Sequence, residues 1–339
     1  MPNTLFTSTI LRWYAAHRRD LPWRGIGDAY GIWVSEVILQ QTRIEQGRDY
    51  WLRFMERFPT VEALAAADED EVLRLWQGLG YYSRARNMHA AAKTIVAMGR
   101  FPDNFAELKQ LKGVGEYTAA AVASMAFGEP VAAVDGNVLR VMARYFGIDA
   151  DIASTQGRRL IGTLAQDQVP AGAAGDFNSA LMDFGSLQCT PSTPDCGVCP
   201  LAETCAAWRQ GRVASLPVKI NKVKVKTRRM ACVYVRHGGK IALRKRPAGD
   251  IWQGLWQPVV VEDASAEALA SVVGCAPRLL KTGVKHVLTH RVILADFYLA
   301  EPASQPPLAA EGYVWINENE RGNFAVPRLF EMLFDLIPV

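Results

Sequence analysis

Apolar positions along the first two thirds of the chain repeat with a helical period, and beyond residue 230 they gather into short strand-like runs. Tyr30, Trp33, Val34, Val37 and Ile38 fall on one face of a helix over 30–39. Thr60 and Asp68 stand as N-caps before helices over 61–67 and 69–77. A helix of mostly small residues is expected over 116–127, and Gly128-Glu129-Pro130 stops it. Val131 to Val134 is too short a run to type. A second amphipathic helix follows Asp135, with Val138, Leu139, Val141 and Met142 on one side. Two more span 155–168 and 174–187, the latter carrying Phe177, Leu181 and Phe184. Further on, strands are expected over 230–235 and 241–243 around His237-Gly238-Gly239, after Trp256, over 284–299 and over 313–316. Helices are expected at 266–273 and 327–336. The pattern is multidomain: an all-α domain over 1–215, a linker over 216–229, and an α+β domain over 230–339.

Several polar residues sit where an ordinary surface would not place them. Leu111-Lys112-Gly113-Val114-Gly115 reads as a tight turn, and its two glycines allow the backbone a very close approach to a partner. Ahead of a helix N-terminus, such a turn is a site for phosphate. Asp135, just before its helix, is a natural N-cap. Glu36 lies off the apolar face of its helix, and Leu39 and Gln40 share its side. Leu21-Pro22-Trp23-Arg24 is read as the end of the first helix, where a planar guanidinium beside an indole suits a flat base. Gly78-Leu79-Gly80-Tyr81-Tyr82, ahead of Arg84 and Arg86, suits stacking on bases with phosphate contact, or packing of a helix corner.

Composition sharpens two points. The 339 residues are half apolar and carry a formal charge of +4, which permits nucleic acid without demanding it. No run of 18 apolar residues and no signal peptide is seen, so a cytoplasmic protein with no membrane attachment is expected. Four of the six cysteines, Cys189, Cys196, Cys199 and Cys205, are separated by six, two and five residues, with Pro191, Pro194 and Pro200 stiffening the loop. Thiolates so crowded hold metal, and zinc and an iron–sulfur cluster both take four cysteines. Cys232 and Cys275 are expected to pack in apolar surroundings. Lys219, Lys222, Lys224, Lys226, Arg228 and Arg229 form a basic run in the linker.

LKGVGEYT at 111–118, followed by VDGN at 134–137, resembles the helix-hairpin-helix DNA glycosylases with their trailing aspartate. SEVILQQT at 35–42 and LGYYSRARN at 79–87 are similar to the adenine DNA glycosylases among them. The cysteine spacing is that of the [4Fe–4S] loop in endonuclease III and adenine glycosylases, and RKRPAGDIWQGLW at 244–256 resembles their C-terminal Nudix-like module. The resemblance implies Glu36 as general acid, Asp135 facing the sugar, and Asn137 and Tyr117 orienting water and carboxylates. It implies DNA contact through Arg24, Leu39, Gln40, Gln41, Thr42, Tyr81 and Gly113-Val114-Gly115. Where relatives that also cut the strand carry a lysine, this chain has Tyr117, which cannot form a Schiff base. That points to base removal alone. The module's Phe-Ser-His loop, which reads 8-oxoguanine, matches Leu288-Thr289-His290 here, and leucine cannot stack as phenylalanine would. Only Glu267 represents the Glu-rich Nudix helix, so no pyrophosphatase activity is expected. The expected partner is double-stranded DNA holding A:8-oxoguanine or A:G mispairs, bound by a monomer. The rival readings are a bifunctional glycosylase/lyase on oxidised pyrimidines and a non-catalytic binder of damaged DNA.

Overall fold

A computed structural model describes residues 4–220 and 225–338. By contacts the chain divides into two compact units, Met1–Ala65 with Ala90–Asn221, and Ala66–His89 with Lys222–Val339. Lys222 and Lys224 of the basic run lie outside the described residues. Twelve helices precede the strands among the described residues: α1 Thr4–His17, α2 Ala29–Ile38, α3 Ile44–Arg57, α4 Val61–Ala66, α5 Glu69–Leu75, α6 Ser83–Met98, α7 Phe105–Leu108, α8 Glu116–Phe127, α9 Gly136–Phe146, α10 Thr155–Gln166, α11 Ala174–Leu187 and α12 Ala206–Arg209.

In the first unit, α11 packs against α1, α8 and α9, and α2 against α8 and α3. Its core joins Phe6, Ile10 and Trp13 of α1, Val138, Leu139, Val141 and Met142 of α9, and Phe177, Leu181 and Phe184 of α11. These include the apolar stripes read from the α9 and α11 periodicities. Ala119 to Ser124 of α8 are all buried, and small side chains let helices close in. A Cβ on Gly175 of α11 would stand 2.8 Å from the Ser124 carbonyl oxygen. One local expectation fails, and one of the two expected caps holds in position only. α1 stops at His17, so Leu21-Pro22-Trp23-Arg24 lies in the following turns; Pro22 has no N–H to continue a helix. Thr60 does cap α4, accepting from the Ala63 N–H at 3.2 Å, but the Asp68 side chain makes no capping bond. Glu69, Asp70 and Glu71 already place charge at that helix start.

The second unit is built on a mixed sheet of β1 Lys226–His237, β2 Lys240–Lys245, β3 Trp256–Gln257, β4 Val259–Glu262, β5 Arg278–Leu288, β6 Arg291–Ala300 and β7 Val314–Asn317. The order is β3-β2-β1-β6-β5, with β4 added to β1 and β7 to β2. Only β1 and β6 pair in parallel among these strands. Lys226, Arg228 and Arg229, read from the sequence as linker, already belong to β1. Gly238 and Gly239 take φ of +56° and +72°, closing the two-residue turn between β1 and β2. Alternation along β1 buries both faces. Met230, Cys232 and Tyr234 join α14 (Arg328–Phe334), while Ala231, Val233 and Val235 join α13 (Ala266–Val273).

Candidate active site

The two acids come from different helices. Asp135 is the N-cap of α9: its Oδ1 accepts from the Val138 N–H at 2.8 Å, and its Oδ2 from the Asn137 side-chain amide at 2.8 Å. Glu36 is on α2, off the stripe of Tyr30, Trp33, Val34, Val37 and Ile38, yet it is not exposed there. Every residue from Tyr30 to Ile38 is buried, Glu36 included at 6% exposed. A helix covered on all sides has no solvent face, so Ser35 and Glu36 turn inward with the rest. The Tyr117 hydroxyl, from α8, donates to Glu36 Oε2 at 2.5 Å and lies 3.4 Å from Met182 Sδ.

Glu36, Tyr117, Asp135 and Asn137 line one cavity of about 440 Å³, with Arg24, Leu39 and Thr42 also on its wall. That is within the size range of small-ligand sites. Burial, supported by the nearby Asp135 charge, pushes the Glu36 carboxyl up to about 7, against the opposing pull of the Tyr117 hydroxyl and Arg24. Burial also raises Asp135, outweighing the Val138 and Asn137 hydrogen bonds and the Arg140 charge that favour its ionised form. Tyr117 is raised well above its ordinary range by burial and then by the two acids, so it stays a neutral donor. Two carboxyls in one cavity, one of them titrating near neutrality, suit proton transfer paired with charge stabilisation.

Arg24 departs from its expected partner. Its guanidinium makes a two-pronged pair with the fully buried Asp183, at 2.5 and 2.8 Å, and sits 5.6 Å from the Tyr14 ring centre. Arg19 Nε reaches the same carboxylate at 2.9 Å. Despite burial, these two arginines hold Asp183 below the usual carboxylate range. Asp183 was missed in the sequence reading. Its place gave no signal, since Asp183 lies off the Phe177, Leu181 and Phe184 stripe and turns inward only because α11 is buried on every side from Phe177 to Gly185; a buried carboxylate then needs a cation. Gly185 brings α11 close to the start of α9: a Cβ there would stand 2.6 Å from Asn137 Cβ. Arg140 then ties Asn137 Oδ1 (2.9 Å) to the Gly185 and Cys189 carbonyls (2.6 and 2.8 Å).

The other sequence-picked residues are divided between the two units. In the first, Leu39 ends α2, and Gly47 of α3 leaves it room. The Gln40 amide donates to the Thr118 hydroxyl at 3.2 Å, and Gln41 is exposed with φ +61°. Gly113 and Gly115 are exposed on the turn before α8, Val114 is buried beneath them, and only Gly113 takes a positive φ, +80°. In the second unit Tyr81 is 49% exposed and Tyr82 only 6%. The Tyr81 hydroxyl meets the Thr289 hydroxyl, and Leu288-Thr289-His290 turns from β5 into β6.

Cys189, Cys196, Cys199 and Cys205 are unpaired and line one small hollow below Tyr145 and Phe184. No three metal-binding side chains among the described residues converge on a single ion. Four sulfurs spaced around a hollow instead suit a cluster that brings its own iron and sulfide. Arg144 Nη1 stands 3.4 Å from Cys189 Sγ, a cation placed to offset thiolate charge. Burial, against the pull of the Leu201 N–H and with the neighbouring cysteines adding to it, pushes the Cys199 thiol up to about 11.

Fold and site together define a helix-hairpin-helix base-excision domain joined to a Nudix domain. Residues 34–165 match the HhH-GPD superfamily base excision DNA repair protein family, and residues 230–336 match the NUDIX domain. The adenine DNA glycosylase of Buchnera aphidicola subsp. Baizongia pistaciae (strain Bp) is 35% identical, over 76% of this chain and 74% of that one. The adenine DNA glycosylase of Mus musculus is 43% identical, over 63% of this chain and 44% of that one. Among solved structures, a thermostable thymine-DNA glycosylase superposes with a TM-score of 0.56 at 32% identity, over 61% of this chain and 96% of that one. The chain belongs to the adenine DNA glycosylase family. It spans less than half the length of the mouse relative. No helix among the described residues is long and apolar enough to cross a membrane.

Proposed function

We propose that this chain is a monofunctional glycosylase that hydrolyses the N-glycosidic bond of adenine mispaired with 8-oxoguanine or guanine in duplex DNA, acting as a cytoplasmic monomer. The observation that carries this reading is Glu36, buried, titrating at about 7 and sharing a cavity with Asp135.

The target nucleoside must leave the stack, at a cost of roughly a few kcal/mol that a mispair lowers. Leu39, Gln41 and Tyr81 hold the gap, and the turn Gly113-Val114-Gly115 grips the backbone. Adenine leaves poorly as an anion. Glu36, protonated near neutral pH, gives the base its proton as the C–N bond breaks. The sugar then carries positive charge, which the Asp135 carboxylate stabilises until a water adds at the sugar carbon and gives up its proton, leaving the base-free sugar. Asn137, pinned between Asp135 and Arg140, keeps that carboxylate aimed. Tyr117 fixes the Glu36 carboxyl through its 2.5 Å hydrogen bond. Cys189, Cys196, Cys199 and Cys205 would hold a [4Fe–4S] cluster, which supplies rigidity and charge to the loop.

A lyase would need an amine at the sugar, and no lysine is among the described residues lining this cavity. The test is single-turnover excision on A:8-oxoguanine, A:G and A:T duplexes. Glu36→Gln should bind the mispair and release no adenine; release at the wild-type rate removes the acid assignment. Tyr117→Lys should give a borohydride-trapped adduct, and its absence would place Tyr117 away from the sugar.

A further inference from the structure

The second unit holds another cavity, of about 650 Å³, whose wall includes Tyr81, Arg86, Trp252, His286, Leu288 and Thr289. Its wall suits a flat heteroaromatic ring: aromatic surface from Tyr81 and Trp252, with the hydroxyls of Tyr81 and Thr289 beside it. Four non-glycine residues among those described have positive φ, and two of them, Tyr81 (+47°) and Trp252 (+60°), stand on this wall. A bulky side chain rarely adopts that conformation, and it persists only where the surroundings impose it.

The surroundings of Trp252 do so. Asp250 is held by Arg228, Arg246 and Arg291 at 2.7–2.9 Å. The Ile251 carbonyl accepts from Arg246 Nε at 2.9 Å, and the Gln253 carbonyl accepts from Arg86. The Trp252 carbonyl itself accepts from the Leu255 N–H at 3.0 Å. The indole is set edge-on to His286 and Phe330, each at 5.6 Å between ring centres. Four arginines thus brace one six-residue loop, and the result is an aromatic ring on a cavity wall where Leu288 supplies none.

We propose that Trp252 is the residue against which the base opposite the excised adenine is read, making it a determinant of lesion preference in this chain. The inference rests on the adenine-excision reading for the identity of the ligand, a purine within a duplex.

The test is binding of the full chain to three duplexes carrying a non-cleavable adenosine analogue opposite 8-oxoguanine, guanine or a base-less sugar. Trp252→Leu should weaken binding to the 8-oxoguanine duplex by about tenfold, the scale of one lost base–aromatic stack. Binding to the base-less duplex should stay unchanged. Trp252→Phe should recover most of the loss, which a merely unfolded loop would not allow. Equal weakening on all three duplexes means Trp252 only supports the fold, and the proposal falls. It falls too if Trp252→Leu keeps the wild-type preference, or if wild type shows none. Failure of wild type to excise adenine, measured separately, removes the proposed function while this binding comparison still decides the role of Trp252.

Discussion

Replacing Glu36 by glutamine should stabilise the protein at alkaline pH while removing its activity. The wild-type carboxyl moves from an ordinary 4.5 to about 7 on folding, chiefly through burial. A raised carboxyl pKa means that, between these values, the folded chain binds more protons than the unfolded one. Stability therefore falls as pH rises through that window and levels off above it. At about 1.4 kcal/mol per pH unit, the window from 4.5 to about 7 gives ~3.5 kcal/mol, an upper figure because water and polar neighbours relax around a buried charge. Glutamine keeps the shape, has no charge to desolvate, and offers an amide oxygen to the Tyr117 hydroxyl. The assay is urea unfolding followed by far-UV circular dichroism at several pH values. At pH 5 the variant and wild type should have similar midpoints. At pH 8 the variant's midpoint should be higher by about 1 M or more, given typical urea slopes for domains. Asp135 shares the cavity and its own titration will shift in the variant, so the measured difference belongs to the pair. A gap between the two proteins that does not change from pH 5 to pH 8 would refute the claim that Glu36 is desolvated. The acid mechanism would then lose its physical basis.

Excision by wild type should decline as pH rises above about 7, because the acid must carry its proton; a single-turnover rate that keeps climbing to pH 9 contradicts this. Gly185→Ala places a methyl where only 2.6 Å separates it from Asn137 Cβ. It should cut the excision rate tenfold or more while circular dichroism stays native, since the methyl pushes Asn137 and Asp135 out of line; an unchanged rate would show that the α9 start tolerates movement. Cys199→Ser should lower the iron content of the purified protein and its affinity for duplex DNA, and full iron loading would exclude that cysteine as a ligand.

Local chemistry carried much of the fold into the sequence. α8 ends where Gly128 takes φ +72° and α13 where Gly274 takes +77°, so both helices stop where the sequence expects them to. The hairpin of β1 and β2 follows from two glycines alone. What stayed hidden depends on partners far along the chain. Asp183 looks like one more polar residue until Arg19 and Arg24, more than 150 positions earlier, fold onto it. Trp252 sits in a sequence that gives no hint of its backbone, because the arginines that force it come from four separate stretches. Glu36 is the telling case. The sequence marks its residue type and its side of α2, but that every side of this helix is covered becomes visible only in the fold. A motif can name the acid, but a carboxyl titrating near 7 is a property of the cavity. That property separates a group able to protonate a leaving base from one that is merely present.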